Sequence, residues 1–99
     1  MREGGIRVLG RVVALPDTVQ ALRSLLESLV EPTRRRDGCI RYDLTQNLAD
    51  PTEFMFIQEW ESESQLVAHL TSDALQAAVR ALDGLVASPP DIRKYRVLA

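Results

Sequence analysis

Between Glu53 and Glu61 the chain reads Phe54-Met55-Phe56-Ile57-Gln58-Glu59-Trp60, and this run restricts the fold more than any other. Side chains alternate along a strand, so Phe54, Phe56 and Trp60 fall on one face and Met55 and Ile57 on the other. A strand that is apolar on both faces is covered on both faces. Helices of the same chain supply one cover. With only four short strands in prospect, the other cover is expected from a second subunit, which predicts a homodimer.

The remaining elements fall around this strand. Ile6-Arg7-Val8-Leu9-Gly10-Arg11-Val12-Val13 is rich in β-branched residues between Gly5 and Pro16 and predicts the first strand. Asp17 and Gln20 have the spacing of a capping box, followed by Val19, Leu22, Leu25, Leu26 and Leu29 along one helical face. Pro32 lacks an amide hydrogen and is expected to kink or end that helix nearby. After the Asp37-Gly38 turn, Ile40, Tyr42 and Leu44 alternate with Arg41, Asp43 and Thr45 as a half-buried strand. Asn47 to Pro51 then forms the hairpin connection into the Phe54 strand. Ser62 and Gln65 predict a second capping box and a short helix carrying Leu66, His69 and Leu70 inward. Thr71-Ser72-Asp73 opens a further helix with Leu75, Val79, Leu82 and Val86 inward, which Ser88-Pro89-Pro90 is expected to stop. A last strand follows through Ile92, Tyr95, Val97 and Leu98. The order β-α-β-β-α(α)-β is that of an α+β, ferredoxin-like βαββαβ sandwich with a four-stranded antiparallel sheet.

Ninety-nine residues, 45% hydrophobic and 26% charged, suit one globular domain spanning 1–99. No apolar run approaches the roughly 18 residues of a membrane span, and Met1 to Gly5 is too polar and short to open a secretory signal. A cytoplasmic protein is expected. The net charge of -2 argues against nucleic acid as a partner, since phosphates call for a concentrated basic surface. Cys39 is the only cysteine and His69 the only histidine, which excludes an internal disulfide and makes no case for a metal centre.

Glu31-Pro32-Thr33-Arg34, the run Asp37 to Leu44, Asp50-Pro51, the run Phe54 to Trp60 and Leu66-Val67-Ala68-His69 together resemble the antibiotic biosynthesis monooxygenase domain family, including its quinol monooxygenase members. The resemblance covers essentially the whole chain. It implies a dimeric α+β barrel in which two such sheets pack together and each subunit holds a pocket between sheet and helices. It also implies several possible activities: cofactor-independent oxygenation of polycyclic phenols or quinols, haem degradation, isomerisation of a sugar phosphate, or none. This chain departs from the family where a Ser-Pro-His-Phe-like segment is common, reading Ser72-Asp73-Ala74-Leu75 instead. Its first strand also lacks the asparagine expected of haem-degrading members, which points away from that branch.

Oxygenation without a cofactor requires a base near neutral pH and an apolar enclosure for a substrate that becomes electron-rich once it loses a proton. His69 is the candidate catalytic base, since histidine alone among side chains ordinarily titrates in that range and its spacing from Leu66 turns it toward the sheet. Trp60, Tyr42 and Phe56 are the candidate substrate-binding residues, the first by stacking on a planar ring and the second through its hydroxyl. Each also has a plain structural reading: an inward histidine as a packing residue, the aromatics as core or subunit interface. Glu59, opposite in face to Trp60, is expected to pair with an arginine. Arg34-Arg35-Arg36 suits a solvated helix C-terminus, and Cys39 a small buried hydrophobe. The resulting expectation is a monooxygenase or quinol oxidase taking an aromatic polyphenol or quinol with O2, needing no cofactor, with a small-metabolite isomerase or a non-catalytic, stress-related binding dimer as alternatives.

Overall fold

A computed structural model describes residues 5–99. Its elements are β1 (Ile6–Val13), α1 (Val19–Ser28), α2 (Val30–Arg34), β2 (Cys39–Gln46), β3 (Glu53–Trp60), α3 (Glu63–Leu70), α4 (Asp73–Ala81) and β4 (Asp91–Arg96). The strands form one antiparallel sheet in the order β2-β3-β1-β4, so the ferredoxin-like topology holds.

β3 lies inside the sheet, and its alternation sorts the molecule into two faces. Phe54, Phe56, Gln58 and Trp60 are buried, while Met55, Ile57 and Glu59 on the opposite side are only partly so. Toward the helices, Val12, Leu22, Leu26, Tyr42, Phe54, Phe56 and Leu82 close into one core cluster, and Val8, Trp60 and Leu66 into a smaller one. The register between β2 and β3 slips at Ile40, because Cys39 pairs with Trp60 but Arg41 pairs with Glu59. This bulge keeps Cys39, Tyr42 and Leu44 on the helical side and pushes Ile40 out, where it is exposed rather than half-buried as the alternation predicts.

Local chemistry departs from the sequence expectation at three further points and places the break expected near Pro32. Asp17 does not cap α1: the N-cap is Thr18, which makes no side-chain cap bond because its hydroxyl donates 2.7 Å to the Leu85 carbonyl across the fold. The break associated with Pro32 falls earlier, at Leu29, since the missing Pro32 amide leaves the Ser28 carbonyl without its helical donor and α1 ends there. α4 stops at Ala81, well before Ser88-Pro89-Pro90, because Gly84 takes φ +78 and turns the chain back; Val86 therefore lies outside it and bridges Ala14, and Val79, within the helix, is exposed rather than inward. β4 ends at Arg96, leaving Val97 and Leu98 outside it. The second capping box holds on its hydroxyl side: the Gln65 amide donates 3.3 Å to Ser62 Oγ. Gln65 turns its side chain to Ser62 Oγ and Asp37.

Among the described residues nothing covers the outer sheet face. Leu9 and Tyr95 are exposed there beside Met55 and Ile57, with ion pairs Arg7–Glu59 (2.9 Å) and Arg11–Glu53 among them. Glu59 thus has the arginine partner expected of it. Among the described residues no helix is long and apolar enough to cross a membrane.

Gly38 and Gly84 both take positive φ, but only Gly38 is crowded: a Cβ there would lie 2.3 Å from Gln65 Cδ, whereas nothing lies within 4 Å at Gly84. Gly84→Ala should therefore cost about 1–2 kcal/mol, the backbone penalty alone, and Gly38→Ala clearly more. Urea unfolding of the two variants checks the order, and equal losses would show that Gln65 moves aside freely.

Candidate active site

Three elements bring the site together. β3 presents Phe56, Gln58 and Trp60 in succession on its inner face, β2 adds Tyr42 beside Phe56, and the last turn of α3 places His69 above them. Tyr42 and Phe56 rings lie 5.0 Å apart. The His69 ring stacks on Trp60 at 5.0 Å and 24°, and meets Tyr42 edge-on at 5.7 Å. Trp60 Nε1 donates 2.9 Å to Gln58 Oε1.

Tyr42, Phe56, Gln58 and His69 border an apolar cavity of about 70 Å³ between the sheet and α1, α3 and α4. Its floor is Gly10, Val12, Phe56 and Ile92, its roof includes Leu25, Leu26, Leu75 and Ala78, and its polar lining residues are Tyr42, Gln58 and His69. An apolar cavity that binds benzene measures about 150 Å³, so this space, which is open to the surface, takes part of an aromatic ring and leaves the rest outside. A second, wider cleft of about 240 Å³ lies against the other side of His69, Leu29 and Leu75 and is lined by Thr33, Arg36 and Ser72.

His69 is 3% exposed and its Nδ1 has no hydrogen-bond partner among the described residues. Burial, helped by the Arg36 guanidinium, pushes its pKa down from 6.5 to about 4. The imidazole is therefore neutral at physiological pH, and its Nδ1 is claimed by no group among the described residues. Tyr42 is pushed up to about 12 by desolvation despite its bond to Thr33. It stays protonated, and with its hydroxyl turned to buried Thr33 it offers the cavity its ring face.

The sequence-expected site residues thus meet at one place in different capacities. His69, Tyr42 and Phe56 line the cavity. Trp60 does not: it is 0% exposed and stands one layer behind, against His69. Gln58, absent from the expectation, is 5% exposed and reaches the cavity. The signal for it was present, as the one polar residue of inward parity in a run otherwise apolar on that face. The arginine run is also more than a solvated cap. Arg34 donates to the Tyr42 carbonyl (3.0 Å) and to Glu31 and Asp43, tying α2 to β2, while Arg36 donates 3.2 Å to the Ala68 carbonyl beside His69. Cys39 sits partly buried with its thiol pushed up by desolvation, as suits a packing residue.

Fold and site together define a ferredoxin-like α+β domain with an apolar, histidine-bearing pocket between sheet and helices. The family model described as Antibiotic biosynthesis monooxygenase matches residues 5–81, and the chain belongs to that family. "Putative monooxygenase Rv0793" of Mycobacterium tuberculosis is 38% identical over 64 residues, 65% of this chain and 62% of its own length. The Synechocystis protein sll1783 is 26% identical over 92 residues, 93% of this chain and 63% of its own. The chain therefore spans a little under two thirds of the length of these two relatives. The crystal structure of PA3566 from Pseudomonas aeruginosa superposes with a TM-score of 0.90 at 26% identity, covering 100% of this chain and 99% of that one.

Because native His69 titrates near 4 and an unfolded histidine near 6.5, the unfolded state takes up a proton between these values that the native state refuses. The stability this contributes is complete above pH 6.5 and is lost as pH falls toward 4, by about 2 kcal/mol at pH 5 and ~3 kcal/mol at pH 4. Urea unfolding of wild type and His69→Phe at pH 7.5 and 5 isolates it, since the carboxylates are common to both. Equal pH dependence in the two proteins would contradict a buried neutral imidazole.

Proposed function

We propose that the chain is a cofactor-independent monooxygenase that oxidises a single-ring quinol or phenol with O2, His69 acting as the base. The observation that carries this reading is a neutral imidazole, its Nδ1 without a partner among the described residues, lining an apolar cavity that opens to the surface. His69 accepts the phenolic proton. The phenolate then passes an electron to O2, the ring radical and superoxide combine in a C–O bond, and loss of water follows. For a quinol the balance is hydroquinone plus O2 giving hydroxyquinone plus water, one oxygen atom going to each product. Phe56, Tyr42 and the aliphatic roof enclose the ring and exclude bulk water, which would otherwise solvate the anion and the superoxide. Trp60 takes part from behind, by fixing the base rather than by touching the ring.

The low pKa of His69 has a cost for this chemistry. Moving a proton from a phenol of ordinary pKa about 10 to an imidazole of about 4 is uphill by ~8 kcal/mol between isolated groups. Attraction within the ion pair formed in the cavity offsets part of this, and a hydrogen-bond donor at the phenolate oxygen is needed for more.

A second reading, proton shuttling on a small anionic metabolite, draws support from the outer cleft, where Arg36 and His69 share one wall. Oxygen uptake separates the two, since an isomerase consumes none.

The uncovered apolar outer face supports the further reading that the active unit is a homodimer joined sheet to sheet, with the exposed Leu9 and Tyr95 at the contact. Light scattering at micromolar concentration should report twice the chain mass, and a stable monomer would remove the dimer from the proposal.

With a panel of reduced one-ring quinones, wild type should consume O2, and folded His69→Ala should lose about two to four orders of magnitude in kcat with little change in KM. The kcat/KM of wild type should stay level from pH 5.5 to 8, because His69 is already deprotonated throughout that range. A His69→Ala variant as fast as wild type would refute the base assignment.

A further inference from the structure

Gln58 has a constrained geometry that the reading so far leaves unused. An indole N–H can only donate, so the carboxamide atom 2.9 Å from Trp60 Nε1 is the acceptor, Oε1. That contact fixes which way the amide points and leaves the NH2 group on its other arm. Among the described residues no group accepts from this NH2. Gln58 is nonetheless 5% exposed and lines the cavity, so what remains accessible of its amide is open to the cavity. Gly10 leaves that path clear: a Cβ there would come within 3.9 Å of Gln58 Nε2, alongside Phe56 and Ile92. An amide donor that keeps accessible surface inside an otherwise apolar space is completed by whatever occupies that space, water or a ligand oxygen.

We infer that Gln58 binds the substrate oxygen, its side-chain N–H donating to the ring oxygen that becomes negative when the proton leaves. The inference rests on the monooxygenase reading and narrows it, since the substrate must carry an oxygen on the ring at the end of the cavity nearest β3. It also supplies the donor that a weakly basic His69 requires. A preorganised amide in an apolar, water-poor space stabilises a phenolate far more than the same bond does in water. Trp60 becomes a positioning residue for both polar groups, through a hydrogen bond to Gln58 and a stacked face on His69. The other charged or titratable groups near the ring are protonated Tyr42 on β2 and, through the outer cleft, the Arg36 cation beyond α2. Neither supplies a donor directed at the floor of the cavity.

Two non-reacting probes test this: 4-nitrophenol, whose absorbance reports its own ionisation, and nitrobenzene, which is the same nitro-substituted ring without the ionisable phenolic oxygen. Wild type should bind both and lower the bound pKa of 4-nitrophenol relative to Gln58→Met. The variant should lose about 10–100-fold in affinity for the nitrophenolate, the usual worth of a hydrogen bond to a charged group, while its affinity for nitrobenzene changes less than about threefold. A destabilised variant does not block the test, because in wild type the Gln58 side-chain NH2 resonances should shift when 4-nitrophenol is added and stay in place with nitrobenzene. Equal loss of both probes in folded Gln58→Met, or NH2 resonances that ignore the phenol, would overturn the role given to Gln58 and leave the base assignment standing. If neither probe binds wild type, the cavity is not an aromatic site, and the functional reading falls together with this inference.

Discussion

One indole organises the interior of this protein. Trp60 donates its only hydrogen to Gln58 and lays its ring against His69, so the two polar groups with free valence in the cavity are both set by a side chain that never reaches the cavity. The arrangement depends in turn on the Ile40 bulge, which pairs Cys39 with Trp60, and on Val8 and Leu66, which enclose the indole in the smaller core cluster. Holding a base and a donor by a rigid, fully buried plane restricts their rotamers without charge, which keeps the surroundings apolar. An ion pair in the same place would have solvated the site and raised the histidine pKa.

This explains why a buried histidine is tolerated. Left in water, imidazole would be protonated near pH 6.5. Here desolvation and Arg36 lower that to about 4, so the native protein gives up stability under mild acid in exchange for a lone pair that stays free at neutral pH. Arg36 is itself held by the Ala68 carbonyl one residue before His69, close enough to oppose an imidazolium, and it lines the outer cleft rather than the apolar cavity. The small cavity adds a size limit, because Leu75 and Ala78 form its roof close over the sheet.

Much of this was legible from the residues. The two-faced apolar pattern of Phe54 to Trp60 located the central strand and its uncovered outer side, and the Leu66–His69 spacing turned the histidine inward. The outcomes that escaped were those decided by contacts distant in sequence. Thr18 rather than Asp17 starts α1 because Leu85, far along the chain, accepts its hydroxyl. The bulge at Ile40 is set by β3 pairing and has no local signature. Trp60 was expected on the pocket wall because strand parity gives the face of a residue but not its depth, and Leu66 and His69 lie over it. Gln58 was passed over for the opposite reason: a polar residue among aromatics reads as an interruption until its partner is visible.

The central claim is that His69 sits neutral against Trp60 at the edge of an apolar cavity. As the only histidine in the chain, it gives a single set of imidazole resonances, and an NMR titration of those signals tests the claim most directly. A midpoint near 4, with the ring neutral at pH 5.5 and its shifts perturbed by a bound one-ring phenol, is the result predicted. A midpoint at the ordinary 6.5 that does not respond to the phenol would contradict it.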